Sequence, residues 1–155
     1  MTLQQEVQLL RQVPLFAKID PARLKLLAFT SDRLMFAKDD VLFRQGEAGD
    51  AAYLILSGAA EVSIDTPNGP FVVATISEHE IVGEIAILCD IPRTATVRAA
   101  SEVVALRIAK ERFFTLIDEF PEMAVEMMRE LARRLEVTTV RLREAYAKMG
   151  GAAAE

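Results

Sequence analysis

Between Arg33 and Ile108 the apolar residues come in short pieces: LMF, VLF, AAYLIL, AEVSI, FVVATI, TATVRA and VVALRI. Turn formers separate them, namely Gly46, Gly49-Asp50, Ser57-Gly58 and Pro67-Asn68-Gly69-Pro70. In AEVSID, Val62 and Ile64 alternate with Glu61, Ser63 and Asp65, the period of a half-buried strand. Short strands at close spacing, with too few helices between them for a parallel sheet, make a β-roll or jelly roll over residues 33–109. The expected class is mainly β with flanking helices (α+β), with about eight short strands.

Helices bracket this region. Thr2 caps a first helix in which Leu3, Val7 and Leu10 share a face. Asp20-Pro21 opens a second, with the acid as N-cap and proline at the first helical position. These two make up residues 1–32. After Lys110 the period changes back, predicting a short helix over 110–119 that closes at Phe120-Pro121. From Pro121 to Met149 no glycine or further proline interrupts, so one helix of roughly 40 Å is expected. Along it Met128, Leu131, Leu135, Thr138, Leu142, Ala145 and Met149 are spaced 3, 4, 3, 4, 3 and 4 apart. That is a heptad seam, which predicts a homodimer through helix 121–149. Gly150-Gly151 reads as a stop, followed by a disordered tail over 150–155. The whole chain, 1–155, reads as a single domain.

Composition removes several classes of function. A net charge of −5 argues against a protein that coats nucleic acid. One cysteine, Cys89, excludes an internal disulfide framework and suits a reducing cytoplasm. No apolar run is long enough to cross a bilayer, and the N-terminus lacks the pattern of a secretory signal. One histidine and one cysteine without ligand spacing predict no metal site. His79 reads as a solvated turn residue among acids, and Cys89 as a small spacer.

The chemistry concentrates in Gly83–Ala99, GEIAILCDIPRTATVRA. Glu84 and Arg93 stand nine residues apart among Gly83, Ala86, Thr94, Ala95, Thr96 and Ala99. Opposite charges in apolar surroundings need partners or a ligand. Small neighbours open backbone N–H groups to close approach, and an arginine fork beside them suits a phosphate. The residues alone point to a small anion that also carries hydroxyls.

This stretch resembles the phosphate-binding cassette of the cyclic nucleotide-binding domain family: Gly-Glu-apolar-Ala, a short spacer, then Pro-Arg-small-Ala-Thr-Val-basic-Ala. The likeness extends to RQGEAGDAAYLILSGAAEV at 44–62 and to the helix–roll–helix order. It implies that Glu84 accepts from a ribose 2′-hydroxyl and that Arg93 pairs with the exocyclic phosphate oxygens. It also implies that Gly83, Ile85, Ala86 and Ala95 line the cradle, with backbone N–H donors at Ala86 and Ala95, and that Thr94 adds a hydroxyl. Val62 and Val73 would wall the sugar and base. LARRLEVTT at 131–139 resembles the catabolite-activator branch of the family, where two adjacent hydroxyl residues meet the adenine. That implies base contacts at Thr138 and Thr139, one from each subunit, and favours cyclic AMP over cyclic GMP. A glycine common ahead of the Gly-Glu pair is absent from His79-Glu80-Ile81-Val82, which bears on the turn and not on the ligand contacts.

The implied function is a cyclic nucleotide sensor, not an enzyme, with no catalytic residue and no cofactor. It would signal through its C-terminal helix to a dimer mate or an unidentified protein effector. DNA binding does not carry over, because the chain stops where that branch begins its helix-turn-helix. Two alternatives stay open: a non-binding roll used as a protein-contact scaffold, and the regulatory fragment of a transcription factor. The interleaved Arg129, Arg133, Arg134, Arg141, Arg143 and Glu126, Glu130, Glu136, Glu144 read as a solvated helix face.

Overall fold

The computed structural model describes residues 2–154. Helix α1 (Leu3–Arg11) begins at a capping box in which Thr2 and Gln5 exchange hydrogen bonds. A single 3-10 turn (Pro14–Phe16) leads to α2 (Pro21–Thr30), whose first turn is held by the Asp20 carboxylate on the Ala22 N–H at 3.0 Å. Eight strands follow: β1 (Asp32–Phe36), β2 (Val41–Phe43), β3 (Ala51–Ser57), β4 (Ala60–Thr66), β5 (Gly69–Ile76), β6 (Ile81–Val82), β7 (Thr96–Ala99) and β8 (Val103–Ala109). Helix α3 (Glu84–Cys89) lies between β6 and β7, and α4 (Lys110–Glu119) and α5 (Pro121–Ala154) close the chain. The strands pair antiparallel in two four-stranded sheets, ordered β1-β8-β3-β6 and β2-β7-β4-β5. The α+β roll expected from the turn spacing is the observed fold.

Strand β3 explains the uninterrupted apolar run AAYLIL, because both of its faces are buried. Ala52, Leu54 and Leu56 face a core shared with the helices, alongside Phe16, Leu24, Phe113 and Met123. Tyr53 and Ile55 face the inside of the roll, with Phe43, Val82, Val97 and Ala99. The first core seats the helices, and the second shapes the interior behind the cassette.

Two local features depart from the sequence expectations. The long helix continues through Gly150-Gly151 to Ala154 instead of stopping at Gly150. Gly150 is not among the left-handed glycines, so no left-handed cap forms there, even though a glycine inside a helix costs about 1 kcal/mol relative to alanine. Glu155, the rest of the predicted tail, lies outside the described residues. His79 is half-buried rather than solvated, with φ at 70° and its Nε2 buried without a hydrogen-bond partner. The turn therefore keeps the left-handed conformation that a glycine would adopt there, held by the His79 N–H on the Ile55 carbonyl at 2.8 Å.

Candidate functional site

The cradle forms where β6 gives way to α3. Gly83 takes φ 89°, and a Cβ there would lie 2.7 Å from Arg93 Nη1 and 3.2 Å from the Phe43 ring, so only glycine fits. The chain turns at this point and buries Glu84, which is 1% exposed. Gly49 packs directly on Ala86, with room for no side chain: its Cβ would come within 2.5 Å of the alanine's. The loop before β3 is laced to the cassette, Gly46 N–H donating to the Arg93 carbonyl at 2.8 Å and Arg93 N–H to the Glu47 carbonyl at 2.7 Å. Gln45 N–H donates to Thr96 Oγ1 at 2.9 Å.

Arg93 is 3% exposed. Its Nη1 donates to the Gly83 carbonyl at 2.8 Å and its Nη2 to the Ala51 carbonyl at 2.7 Å. The guanidinium lies 4.1 Å from the centroid of the Phe43 ring. Asp50, itself exposed, approaches Nη2 at 3.5 Å and is shared with Arg107 at 3.0 Å. Nε of Arg93 is buried without a hydrogen-bond partner. Burial lowers the Arg93 pKa, opposed by Tyr53 and Asp50. Glu84 shifts the other way: burial raises its carboxyl above the ordinary range, and Arg134 beside it pulls it back down. A buried cation with weak counter-charge and a buried carboxylate thus stand at one turn, and such a pair suits an anion that also donates a hydroxyl.

The sequence profile of the cyclic nucleotide-binding domain matches residues 33–120, which contain this cradle. The chain belongs to that family. An NTE family protein of Mycobacterium tuberculosis is 34% identical over 126 residues, 81% of this chain and 21% of that protein. A CRP-like cAMP-activated global transcriptional regulator from the same organism is 28% identical, over 84% of this chain and 59% of its own length. This chain therefore spans about a fifth of one of these curated relatives and less than two thirds of the other. Among solved structures, the sensor domain of the transcriptional regulator DNR from Pseudomonas aeruginosa superposes with a TM-score of 0.76 at 25% identity, covering 86% of this chain and 90% of that one. The Thermus thermophilus catabolite activator protein superposes with a TM-score of 0.73 at 27% identity, over 84% and 62% of the two chains.

Within this cyclic nucleotide-binding domain the cassette residues predicted from sequence fall into two groups. Gly83, Glu84, Ala86 and Arg93 are drawn together as described. Ile85, next to the buried Glu84, is 42% exposed. Thr94 is exposed and Ala95 half-buried, directly after Arg93. Val62 pairs with Val97 across β4 and β7. Val73 is the extra residue of a β-bulge, since Val62 pairs with Ala74 and Ser63 with Val72. Thr138 is exposed and turns its hydroxyl onto its own helix, donating to the Arg134 carbonyl at 2.8 Å, whereas Thr139 is half-buried.

Arg134 is the residue that sequence reasoning missed. It does not belong to a solvated face: its Nη1 donates to Glu84 Oε1 at 2.7 Å, and its Nη2 donates to the Ile81 carbonyl. The signal available was positional, since Met123, Met127, Glu130 and Arg134 follow one helical stripe, the methionines at its start being buried. Phe43, under Arg93, carried no sequence signal beyond its strand. An open cleft of about 310 Å³ lies elsewhere, lined by Thr30, Asp32, Arg107, Ala109, Glu111, Arg112 and Thr115, none of them in the cassette.

Proposed function

We propose that this chain is a cyclic nucleotide sensor that takes cyclic AMP, with cyclic GMP as the alternative ligand, and signals by repositioning α5. One observation carries the reading. Arg93 is buried, yet its ion pair among the described residues is a 3.5 Å approach to an exposed aspartate. A phosphate at about 4 Å would interact with that cation by about 4 kcal/mol at an effective dielectric near 20. Arg93 then pairs with the exocyclic oxygens, and Glu84 accepts from the ribose 2′-hydroxyl. Gly83, Ile85, Ala86 and Ala95 line the phosphate through their backbone, and Thr94 adds its hydroxyl. Val62 and Val73 wall the sugar and base, while Thr138 and Thr139 choose the base once α5 closes.

The same reading covers the partner. Met128, Leu135, Leu142 and Met149 of the heptad seam are 61%, 67%, 69% and 71% exposed. An apolar stripe of that length on a helix extending past the domain fits a second copy of the chain, or a protein effector in its place. The domain is a single ligand-responsive unit in the cytoplasm; among the described residues no helix is long and apolar enough to cross a membrane.

Isothermal titration with cyclic AMP and cyclic GMP tests the proposal. Binding at micromolar or tighter affinity that Arg93→Ala abolishes is the expected result. No binding of either nucleotide by the wild-type chain overturns it in favour of a protein-contact scaffold. That second reading draws on Glu84 and Arg93 already having internal partners.

A further inference from the structure

Arg93 is held by two carbonyls and covered on one face by a ring. Its Nη1 donates to the Gly83 carbonyl at 2.8 Å and its Nη2 to the Ala51 carbonyl at 2.7 Å. Two such bonds fix where the guanidinium sits but leave it free to tip about the line that joins them. The Phe43 ring, 4.1 Å from Cζ to its centroid, lies against the face and opposes that tipping. The ring is itself built in. Strand β2 pairs with β7 through Val41 opposite Arg98 and Phe43 opposite Val97, so Leu42 is the extra residue of a β-bulge. The bulge breaks the alternation of the strand, and Leu42 and Phe43 are buried in succession. Tyr53 stacks behind Phe43 with centroids 5.9 Å apart and planes at 30°, and Phe36 meets Tyr53 edge-on at 6.5 Å. Strand β3 therefore supplies both the Ala51 carbonyl on Nη2 and the ring that backs Phe43. A Cβ at Gly83 would lie 2.7 Å from Nη1 and 3.2 Å from Phe43, so the turn closes on guanidinium and ring together.

We infer that Phe43 is a positioning residue: its ring, backed by Tyr53, fixes the plane of the Arg93 guanidinium and so decides which of the two exocyclic phosphate oxygens the arginine takes. The inference rests on the cyclic nucleotide reading above. Any apolar side chain of similar volume would fill the space under Arg93, but only a flat face sets a plane. The fork of an arginine is directional, so the plane that carries its N–H groups selects between two oxygens on one phosphorus. An arginine already held in that plane also loses less freedom when the phosphate arrives.

The test uses cyclic AMP and the two diastereomers in which sulfur replaces one or the other exocyclic oxygen. Sulfur is a weak hydrogen-bond acceptor, so the diastereomer that puts it where Arg93 donates binds less well. Titrated into the full chain, wild type is expected to prefer one diastereomer by about tenfold or more, as for loss of a hydrogen bond from a charged donor. Phe43→Leu is expected to bring that ratio to within about twofold and to weaken cyclic AMP about tenfold, the scale of a desolvated cation–π contact. Tyr53→Leu, which removes the backing of the ring, gives a ratio in between. Phe36→Leu, which takes away the outermost ring and no contact with Arg93, leaves the wild-type ratio. Phe43→Met, apolar and without a flat face, takes the place of Phe43→Leu should the leucine variant not fold. An unchanged ratio in the Phe43 variant, whatever happens to affinity, would reduce the ring to core filler. Equal affinities for the two diastereomers in wild type would show that no plane is fixed; either result overturns the inference. A wild type that binds neither cyclic AMP nor either diastereomer overturns the functional reading, and the inference falls with it.

Discussion

Replacing Gly83 by alanine separates backbone strain from the packing of the buried arginine. Gly83 and Gly46 share a φ of 89°, yet a Cβ at Gly46 meets no atom within 4 Å, whereas one at Gly83 would meet Arg93 Nη1 at 2.7 Å and Phe43 at 3.2 Å. Each substitution carries the left-handed backbone cost of about 1–2 kcal/mol. Only Gly83→Ala must also push away a guanidinium held on two sides by carbonyls, one of them its own at 2.8 Å. Losing a hydrogen bond from a charged donor costs about 1.5–3 kcal/mol, so Gly83→Ala should lose about 2.5–5 kcal/mol and Gly46→Ala about 1–2 kcal/mol. The larger loss is a sizeable part of the 5–15 kcal/mol typical of a domain. Urea unfolding followed by circular dichroism measures both, with equal m-values as the check on two-state behaviour. Equal losses in the two variants would refute the account, since the contact with Arg93 would then contribute nothing.

Three further outcomes rest on the same turn, its neighbours and the long helix. Glu84 has a raised folded pKa, so the folded chain takes up a proton before the unfolded chain does, and its burial penalty is present at neutral pH and relieved as pH falls through the folded value toward the ordinary carboxylate range. Unfolding free energies should therefore rise for wild type relative to Glu84→Gln as pH falls from neutral toward the ordinary carboxyl value of 4.5, and a constant difference would contradict the raised pKa. His79→Gly removes a positive φ and a buried, unpartnered Nε2, so thermal unfolding should show a net gain of about 1 kcal/mol after the added unfolded-state entropy, and a lower melting temperature would show that the imidazole contributes packing. Leu142→Asp places a charge in the exposed seam, 69% exposed in one chain, and should shift sedimentation toward monomer while leaving the melting curve of dilute protein within about 0.5 kcal/mol; an unchanged sedimentation profile would remove the seam as an interface.

The roll was legible because its evidence is local. Gly46, Gly58 and Gly69 all take positive φ at the predicted turns. The helix starts at Thr2, Asp20 and Pro121 fall where capping and proline geometry put them. The cassette was legible because close approach restricts residue type: Gly83 beneath Arg93 and Gly49 against Ala86 are positions where a side chain has no room. His79 was misread because a lone histidine between two glutamates carries no mark of burial; the Ile55 carbonyl that holds its backbone comes from a distant strand.

Arg134 divides what the sequence alone determined from what tertiary structure decided. By itself the sequence determined the order of elements, the turn that buries Glu84, and the types of residue around Arg93, because dihedral freedom, capping and side-chain size act over a few neighbouring positions. It also carried the heptad seam, a periodicity within one helix. Which face of that helix meets the roll is not a local property. Glu130 and Arg134 satisfy the i,i+4 pairing of an ordinary solvated face, and they do form such a pair, at 3.4 Å. Only the placement of Met123 and Met127 in the helical core sets the azimuth that carries Arg134 to Glu84, fifty positions earlier in the chain. Burial of that carboxylate gives the contact its strength, and burial is a property of the assembled layers rather than of any one segment.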